Sequence, residues 1–325
     1  MLTVYSLGQQ GLKRIERTPE APIDEDAIWL DLVEPTVDEE RLVEARLGVE
    51  VPTREEMREI ESSSRLYEEG GALYLTATIV TKLDSDLPEN AQVTFILKGS
   101  RLVTNRYADP LPFRRYIAYA ERHVTGCNSA PAILVGLMES IVNRIADVIE
   151  RVSSDMDLSS ADVFGTRRIN QRSVSPDFRK VLERVGQSGE LIAKARESLA
   201  SLSRLLAFVE QQAVDPLPQD VRVRLQTLTK DVVAMSDHAS FLGTNLNFIL
   251  DATLGMINID QNNILKIFSV VTVFLLPPSV IGGIFGMNFA HIPTLDAPWG
   301  FWAALALMVA SAVLPWLWFK RKGWL

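Results

Sequence analysis

Hydrophobic and polar positions follow two different periods along this chain, and near the end they stop alternating. Leu2–Leu7, Ala27–Leu32, Ala72–Lys82 and Gln92–Asn105 carry the β-branched and aromatic residues of strands, and a Lys98-Gly99-Ser100 turn divides the last. Between them, Val37–Leu47 behind a Thr36 cap predicts a helix, as does the short stretch opening at Pro52-Thr53 with Glu56 three residues past the threonine. Pro112–Val124 predicts another. This part reads as a small α/β domain. From Pro131 the period lengthens: Ala132–Met156 and Pro176–Val214 predict long helices, and Asp215-Pro216-Leu217-Pro218 breaks the chain before the next. Gln219–Leu276 holds no proline and only two glycines. A helix continuing from there to about Asn288 would reach roughly 100 Å.

The last sixth of the chain is hydrophobic in a different way. Ile267–Gly286 and Gly300–Phe319 are each twenty residues without a formal charge, about 30 Å as helices, which matches a bilayer core. The chain is expected to cross a membrane twice. Lys266 stands before the first span and Lys320, Arg321 and Lys322 follow the second, against only His291 and Asp296 in the turn between. That charge asymmetry puts both chain ends in the cytoplasm, on the inner face of the plasma membrane, and the turn outside. The expected order is a cytoplasmic α/β domain at 1–130, a long helical region and stalk at 131–265, a transmembrane helix at 266–288, an external loop at 289–298, a second transmembrane helix at 299–319 and a basic cytoplasmic tail at 320–325.

Composition adds mainly exclusions. A net charge of −8 with 23% charged residues looks soluble and hides the two spans. The single cysteine, Cys127, excludes an intramolecular disulfide and a thiolate metal cluster. Glu20–Glu69 holds 17 acidic and 5 basic residues, the wrong sign for a phosphate backbone, so no nucleic acid is expected as a partner. An acid excess of this kind either keeps a surface soluble or supplies carboxylates to divalent cations between subunits. Asp84 and Asp86, in the loop before Pro88, are candidates of the second kind. His123, His238 and His291 show no ligand spacing. There is no EF-hand, zincin or glycine-rich phosphate motif, which disfavours an ATP-driven pump. No nucleophile, base and orienter stand at recognisable spacing, so no enzyme and no catalytic cofactor is expected.

The stalk carries a seven-residue repeat. One series is Asp251, Asn258, Leu265, Thr272 and Ser279; its companion is Gly255, Asn262, Ser269 and Leu276. A strict repeat of this length keeps one seam toward the axis of a left-handed bundle, and here the seam is small and polar. Small and hydroxylated residues also let membrane helices pack closely. Polar groups facing lipid are costly, however, so several copies around an axis would enclose a polar path. Two helices cannot enclose a conduit alone. Pro277-Pro278 and Gly282-Gly283 add points where the first span can bend or expose carbonyls.

Gly286-Met287-Asn288, within Ile284-Phe285-Gly286-Met287-Asn288-Phe289 at the end of the first span and followed by His291-Ile292-Pro293 and Trp299-Gly300-Phe301, resembles the CorA family of magnesium and cobalt transporters, which includes ZntB-type zinc transporters. The resemblance covers the whole architecture. It implies a homopentameric funnel, each chain joined by four identical subunits in membrane lipid, with the first span lining a central pore. Asn288 would form a ring of amide oxygens that receives a hydrated divalent ion, with Gly286 permitting the tight backbone there and Met287 packing. A neutral oxygen ring suits Mg²⁺, which dehydrates reluctantly. Ser279, Leu276, Thr272, Leu265, Asn262 and Asp251 would line the pore, Leu276 and Leu265 as apolar constrictions and Asp251 as a carboxylate ring near the exit. Phe268 is a further constriction by family position, and Lys320, Arg321 and Lys322 form a basic collar.

The resemblance also implies regulation by cytoplasmic Mg²⁺ at acidic sites between subunits, for which Asp84, Asp86 and Asp231 are candidates. Thr227 stands where a family carboxylate is expected. A second departure lies in the loop: Ile292-Pro293-Thr294-Leu295 lacks the acid of the family's Met-Pro-Glu-Leu-like turn and leaves Asp296 as the loop's sole carboxylate. Weaker electrostatic capture at the entrance follows. The favoured cargo is Mg²⁺ with Co²⁺ or Ni²⁺; the alternatives are Zn²⁺ transport, with proton coupling, and a membrane-anchored metal sensor or scaffold that does not conduct.

Overall fold

The computed structural model describes residues 1–15, 23–59, 61–82, 88–165, 177–212, 217–287 and 298–322. Its contacts divide the chain into two compact units, Met1–Leu250 and Asp251–Leu325.

The first unit is built on a seven-stranded mixed sheet of β1 (Leu2–Leu7), β2 (Leu12–Ile15), β3 (Ala27–Val33), β4 (Leu66–Glu69), β5 (Ala72–Thr81), β6 (Glu89–Lys98) and β7 (Arg101–Arg106), in the order β2-β1-β3-β7-β6-β5-β4. Its pairings are antiparallel except β3 against β7, which run parallel from Trp29 opposite Leu102 to Val33 opposite Arg106. Tight two-residue turns impose the antiparallel β4–β5 and β6–β7 pairs. Gly70 and Gly71 both take positive φ (56° and 72°) between β4 and β5, the backbone that a two-residue hairpin turn needs. The parallel pair needs a long crossover and brings two strand carboxyl ends side by side.

Five helices and a single 3₁₀ turn, Glu56–Arg58, complete this unit: α1 (Val37–Leu47), α2 (Ser62–Arg65), α3 (Leu111–Ala120), α4 (Ala130–Phe164) and α5 (Phe178–Gln212), together with the first part of α6 (Gln219–Phe285). α1 is bounded as its sequence predicts, with a reciprocal Thr36–Glu39 capping box and Gly48 in the left-handed conformation. The Pro52-Thr53 segment is shorter than predicted. Its capping pair forms, with Thr53 N donating to Glu56 Oε2 at 2.8 Å and Glu56 N to Thr53 Oγ1 at 3.3 Å. Only Met57 in the 3₁₀ turn is buried, so no apolar stripe extends it into a helix. α4 runs further than Met156 because Ser159 and Val163 continue its buried stripe, and Arg184 of α5 ties its end through Ser159 Oγ and Asp162.

The core is layered. Leu30, Leu32, Tyr74, Ile96 and Val103 of the sheet pack with Val43 of α1. β5 is buried along its whole length, and α5 pins it through Thr78, whose N–H donates to Ser201 Oγ at 3.0 Å and whose carbonyl accepts from Ser198 Oγ at 2.8 Å. Within this unit α6 buries Val221, Leu225, Leu228, Val232, Ala239, Leu242, Leu246 and Ile249, an apolar ridge at helical spacing.

The second unit holds the remainder of α6 and α7 (Gly300–Arg321), the two helices long and apolar enough to cross a membrane. α7 shields one ridge, Ala304, Met308, Ser311, Ala312, Pro315 and Phe319. The two helices touch where Gly282 lies beside Met308 Cε.

Candidate functional site

In the second unit α6 presents two unlike faces. Val270, Phe274, Pro277, Pro278, Ile281, Gly282 and Phe285 are half-buried, and at 100° per residue they fall in one arc, the arc that contains the Gly282 contact with α7. Roughly 180° round the helix by the same geometry lie Asp251, Asn258, Asn262, Leu265, Ser269, Thr272, Leu276 and Ser279, all exposed. Gly255 on this series is half-buried. The seven-residue seam is thus the face of α6 that α7 does not use. Phe268 is exposed and sits at the flank of this face, about 75° from its centre.

The hydroxyls on the seam share one geometry. Ser269 Oγ donates to Leu265 O at 2.8 Å, Thr272 Oγ1 to Phe268 O at 2.8 Å and Ser279 Oγ to Leu275 O at 2.7 Å. Each spends its hydrogen on the preceding turn, as hydroxyls in helices commonly do. What remains for anything beside the helix is oxygen lone pairs. These suit the outward hydrogens of a hydrated cation. This orientation is invisible in the sequence reading, which selects the residues but not their donor and acceptor sides; the one available signal is the general habit of mid-helix Ser and Thr.

Pro277 and Pro278 lie inside α6, so the carbonyls of Val273 and Phe274 have no amide four residues on to pair with. The helix then tightens and ends at the Gly-Met-Asn motif: Gly286 N donates to Gly282 O at 2.9 Å and Gly283 O at 3.2 Å, and Met287 N to Ile284 O at 3.3 Å. A Cβ at Gly286 would stand 3.1 Å from Gly282 O, closer than an ordinary contact, so the closing turn favours glycine. Met287 is exposed. Asn288 lies outside the described residues, as do Thr294, Asp296, Asp84 and Asp86. At the end of α7, Lys320 and Arg321 occupy the last turn and Lys322 the cap. Lys320 Nζ stands 5.0 Å over Trp316 and Lys322 Nζ 5.4 Å over Trp318.

In the first unit Asp231 is exposed on α6, and Thr227 Oγ1 donates to Val223 O. Among the described residues no three His, Cys, Asp or Glu side chains converge as a metal site within one chain. A carboxylate site for regulation would therefore need residues from more than one chain or from outside the described set.

A family model described as CorA-like Mg²⁺ transporter protein matches residues 24–321. The chain belongs to the CorA family. This CorA-family chain is 33% identical to the magnesium transport protein CorA of Pasteurella multocida (strain Pm70) and 32% identical to that of Escherichia coli (strain K12), with 100% of this chain and 100% of each relative aligned. Its fold is similar to the complete structure of the CorA magnesium transporter from Methanocaldococcus jannaschii, with a TM-score of 0.76 at 18% identity over 100% of this chain and 99% of that one. The full-length CmaX protein aligns with a TM-score of 0.70 at 18% identity over 99% of this chain and 97% of that one. The ZntB cytoplasmic domain from Vibrio parahaemolyticus RIMD 2210633 aligns with 80% of the CorA-family chain and 98% of its own length, with a TM-score of 0.53 and 12% identity. Family membership makes this chain a divalent-metal transporter rather than an enzyme.

Proposed function

We propose that this chain mediates Mg²⁺ uptake, with Co²⁺ and Ni²⁺ as accompanying cargo, through a central pore formed by five copies in the inner membrane. The observation that carries the reading is the seam of α6: hydrophilic residues at seven-residue spacing occupy the exposed face opposite α7, where a single chain would leave the hydroxyl oxygens of Ser269, Thr272 and Ser279 facing lipid, a costly placement. Identical seams meeting around an axis would turn that cost into a water-filled path. Full-length similarity to magnesium transport proteins supports the choice of cargo.

In this arrangement both chain ends are cytoplasmic and the loop between the helices is external, in keeping with the basic end of α7. A Mg²⁺ ion enters with its water shell and is received by the Asn288 amide ring beyond the turn closed by Gly286. Acceptor oxygens of Ser279 and Thr272 then hold the shell by hydrogen bonds without stripping it. Leu276 and Leu265, with Phe268 at the flank, form apolar rings that close by dewetting, and Asp251 and Asn262 offer oxygens toward the cytoplasmic exit. Lys320, Arg321 and Lys322 surround that exit as a repulsive collar. Cytoplasmic Mg²⁺ held between subunits, with Asp231, Asp84 and Asp86 as candidate ligands, would favour the closed state by binding it more tightly than the open one.

Proteoliposome flux tests the reading. Wild-type protein should pass Mg²⁺, and Asn288→Ala should lose flux while remaining a pentamer by cross-linking. Absence of flux in both forms would support a sensor or scaffold. Separate Mg²⁺, Co²⁺, Ni²⁺ and Zn²⁺ fluxes under an imposed pH gradient decide the cargo, and a strong Zn²⁺ preference that needs the proton gradient would replace Mg²⁺ with the ZntB-type alternative.

A further inference from the structure

The carboxyl end of the sheet in the first unit holds a cavity of about 440 Å³ that the ion path does not use. It opens where the parallel strands β3 and β7 end: Glu34 follows the first, Tyr107 to Asp109 follow the second, and Lys82 at the end of β5 closes a third side. Carboxyl ends of parallel strands are where open α/β sheets bind ligands, and the volume falls in the range of small-molecule sites. Backbone strain gathers at the same place. Glu34 (φ 45°) and Lys82 (φ 54°) are the non-glycine residues of positive φ among the described residues, and both line this cavity. Left-handed backbone at such residues is strained and clusters at ligand sites.

The charges lining the cavity are unequally committed. Lys82 Nζ pairs with Glu89 at 2.9 Å and Arg106, behind the wall, with Asp109 at 2.8 Å. Arg54 and Arg58 make no ion pair among the described residues; the Arg54 guanidinium lies 5.5 Å over the Tyr107 ring, a cation–π contact that leaves its N–H donors for another group. Asn90 adds an Oδ1 atom that is buried without a partner among the described residues. Against two such arginines, Glu34 is the one carboxylate of the lining that lacks an ion pair among the described residues.

We propose that this cavity binds a small oxyanion, the phosphate or carboxylate of a polar metabolite, held by Arg54 and Arg58, with Asn90 accepting from a hydroxyl or amine on the same molecule. None of the residues lining the site belongs to the proposed conduction path, so binding is measurable whether or not the chain conducts.

Calorimetric titration of the purified full-length protein in detergent, in buffer without divalent cations, tests this with three probes: inorganic phosphate, ADP and citrate. Saturable binding of at least one probe is expected, weakened tenfold or more in Arg54→Gln and in Arg58→Gln but unchanged in Arg14→Gln, whose side chain lies elsewhere. Each variant is compared at a matched melting temperature and oligomeric state, so that loss of fold is not read as loss of site. No binding of any probe, or binding that survives both substitutions, overturns the proposal.

Discussion

Asp31 and Arg106 stand almost fully buried in the parallel strand pair, with side chains 2% and 4% exposed. The guanidinium donates to Asp31 from Nε at 3.1 Å and Nη2 at 2.9 Å, Thr104 Oγ1 donates to the same carboxylate at 2.6 Å, and Trp29 Nε1 completes the chain by donating to Thr104 at 3.0 Å. Asp31→Asn leaves the buried guanidinium with Asp109, 2.8 Å away and half-exposed, as its remaining counter-charge. The loss is therefore expected at about 3 kcal/mol, the lower end for a broken buried pair, seen as a lowered unfolding temperature of the detergent-solubilised protein. At the surface, burial pushes the Glu39 carboxyl up, but hydrogen bonds from the Thr36 and Leu2 amides and the nearby amino terminus outweigh it and hold the carboxyl below its ordinary value. A depressed pKa gives stability that is fully present above the ordinary carboxylate range and is lost as pH falls through the lowered value. Glu39→Gln removes the charge and leaves one acceptor oxygen for two amides, so it should lower the melting temperature at pH 7 by an amount equivalent to about 1 kcal/mol, and the gap to wild type should narrow as both are acidified. A constant gap across the titration would contradict this account.

Among the elements, α6 was the most legible, because a seven-residue spacing survives in the sequence whatever the partner. The exposed seam includes Thr272, Ser279 and Asn262, three of the residues that the spacing selects. Thr272→Val and Ser279→Ala each remove one acceptor oxygen from the seam without changing helix packing on the α7 side. Each should cut Mg²⁺ flux severalfold and the pair more, with pentamer yield unaltered; unchanged flux in the double variant would show that the seam is only a packing surface. Other elements were less readable for physical reasons. β2 buries only Leu12, and β4 buries none of its residues, so neither shows strand alternation. The β3–β7 pairing joins residues more than seventy positions apart, and a local pattern reveals a strand but not its neighbour. Pro52-Thr53 has a cap without the apolar stripe that would make a helix. At the proposed site, the Gly286-Met287-Asn288 motif is legible in the sequence, whereas the direction of each hydroxyl and the cavity beside Arg54 depend on three-dimensional placement.

For the whole molecule, the proposed pore requires seams from several copies to meet. Cys127 is buried, and burial pushes its thiol up, so a single engineered cysteine can be followed with low background after Cys127→Ala. Thr272→Cys and Ser279→Cys should react with small water-soluble thiol reagents applied to assembled protein, and oxidation should yield covalent dimers between copies. Protection of both positions from every aqueous reagent during measurable Mg²⁺ passage would end the pore account.

The hydroxyls of Ser269, Thr272 and Ser279 are each locked to the turn before them. In the proposed assembly this makes the wall of the conduit a set of preset dipoles rather than groups that swing to meet each ion. Traffic then pays nothing for rearranging the lining, and its speed is governed by how readily a column of solvent re-forms across the oily rings of Leu276 and Leu265.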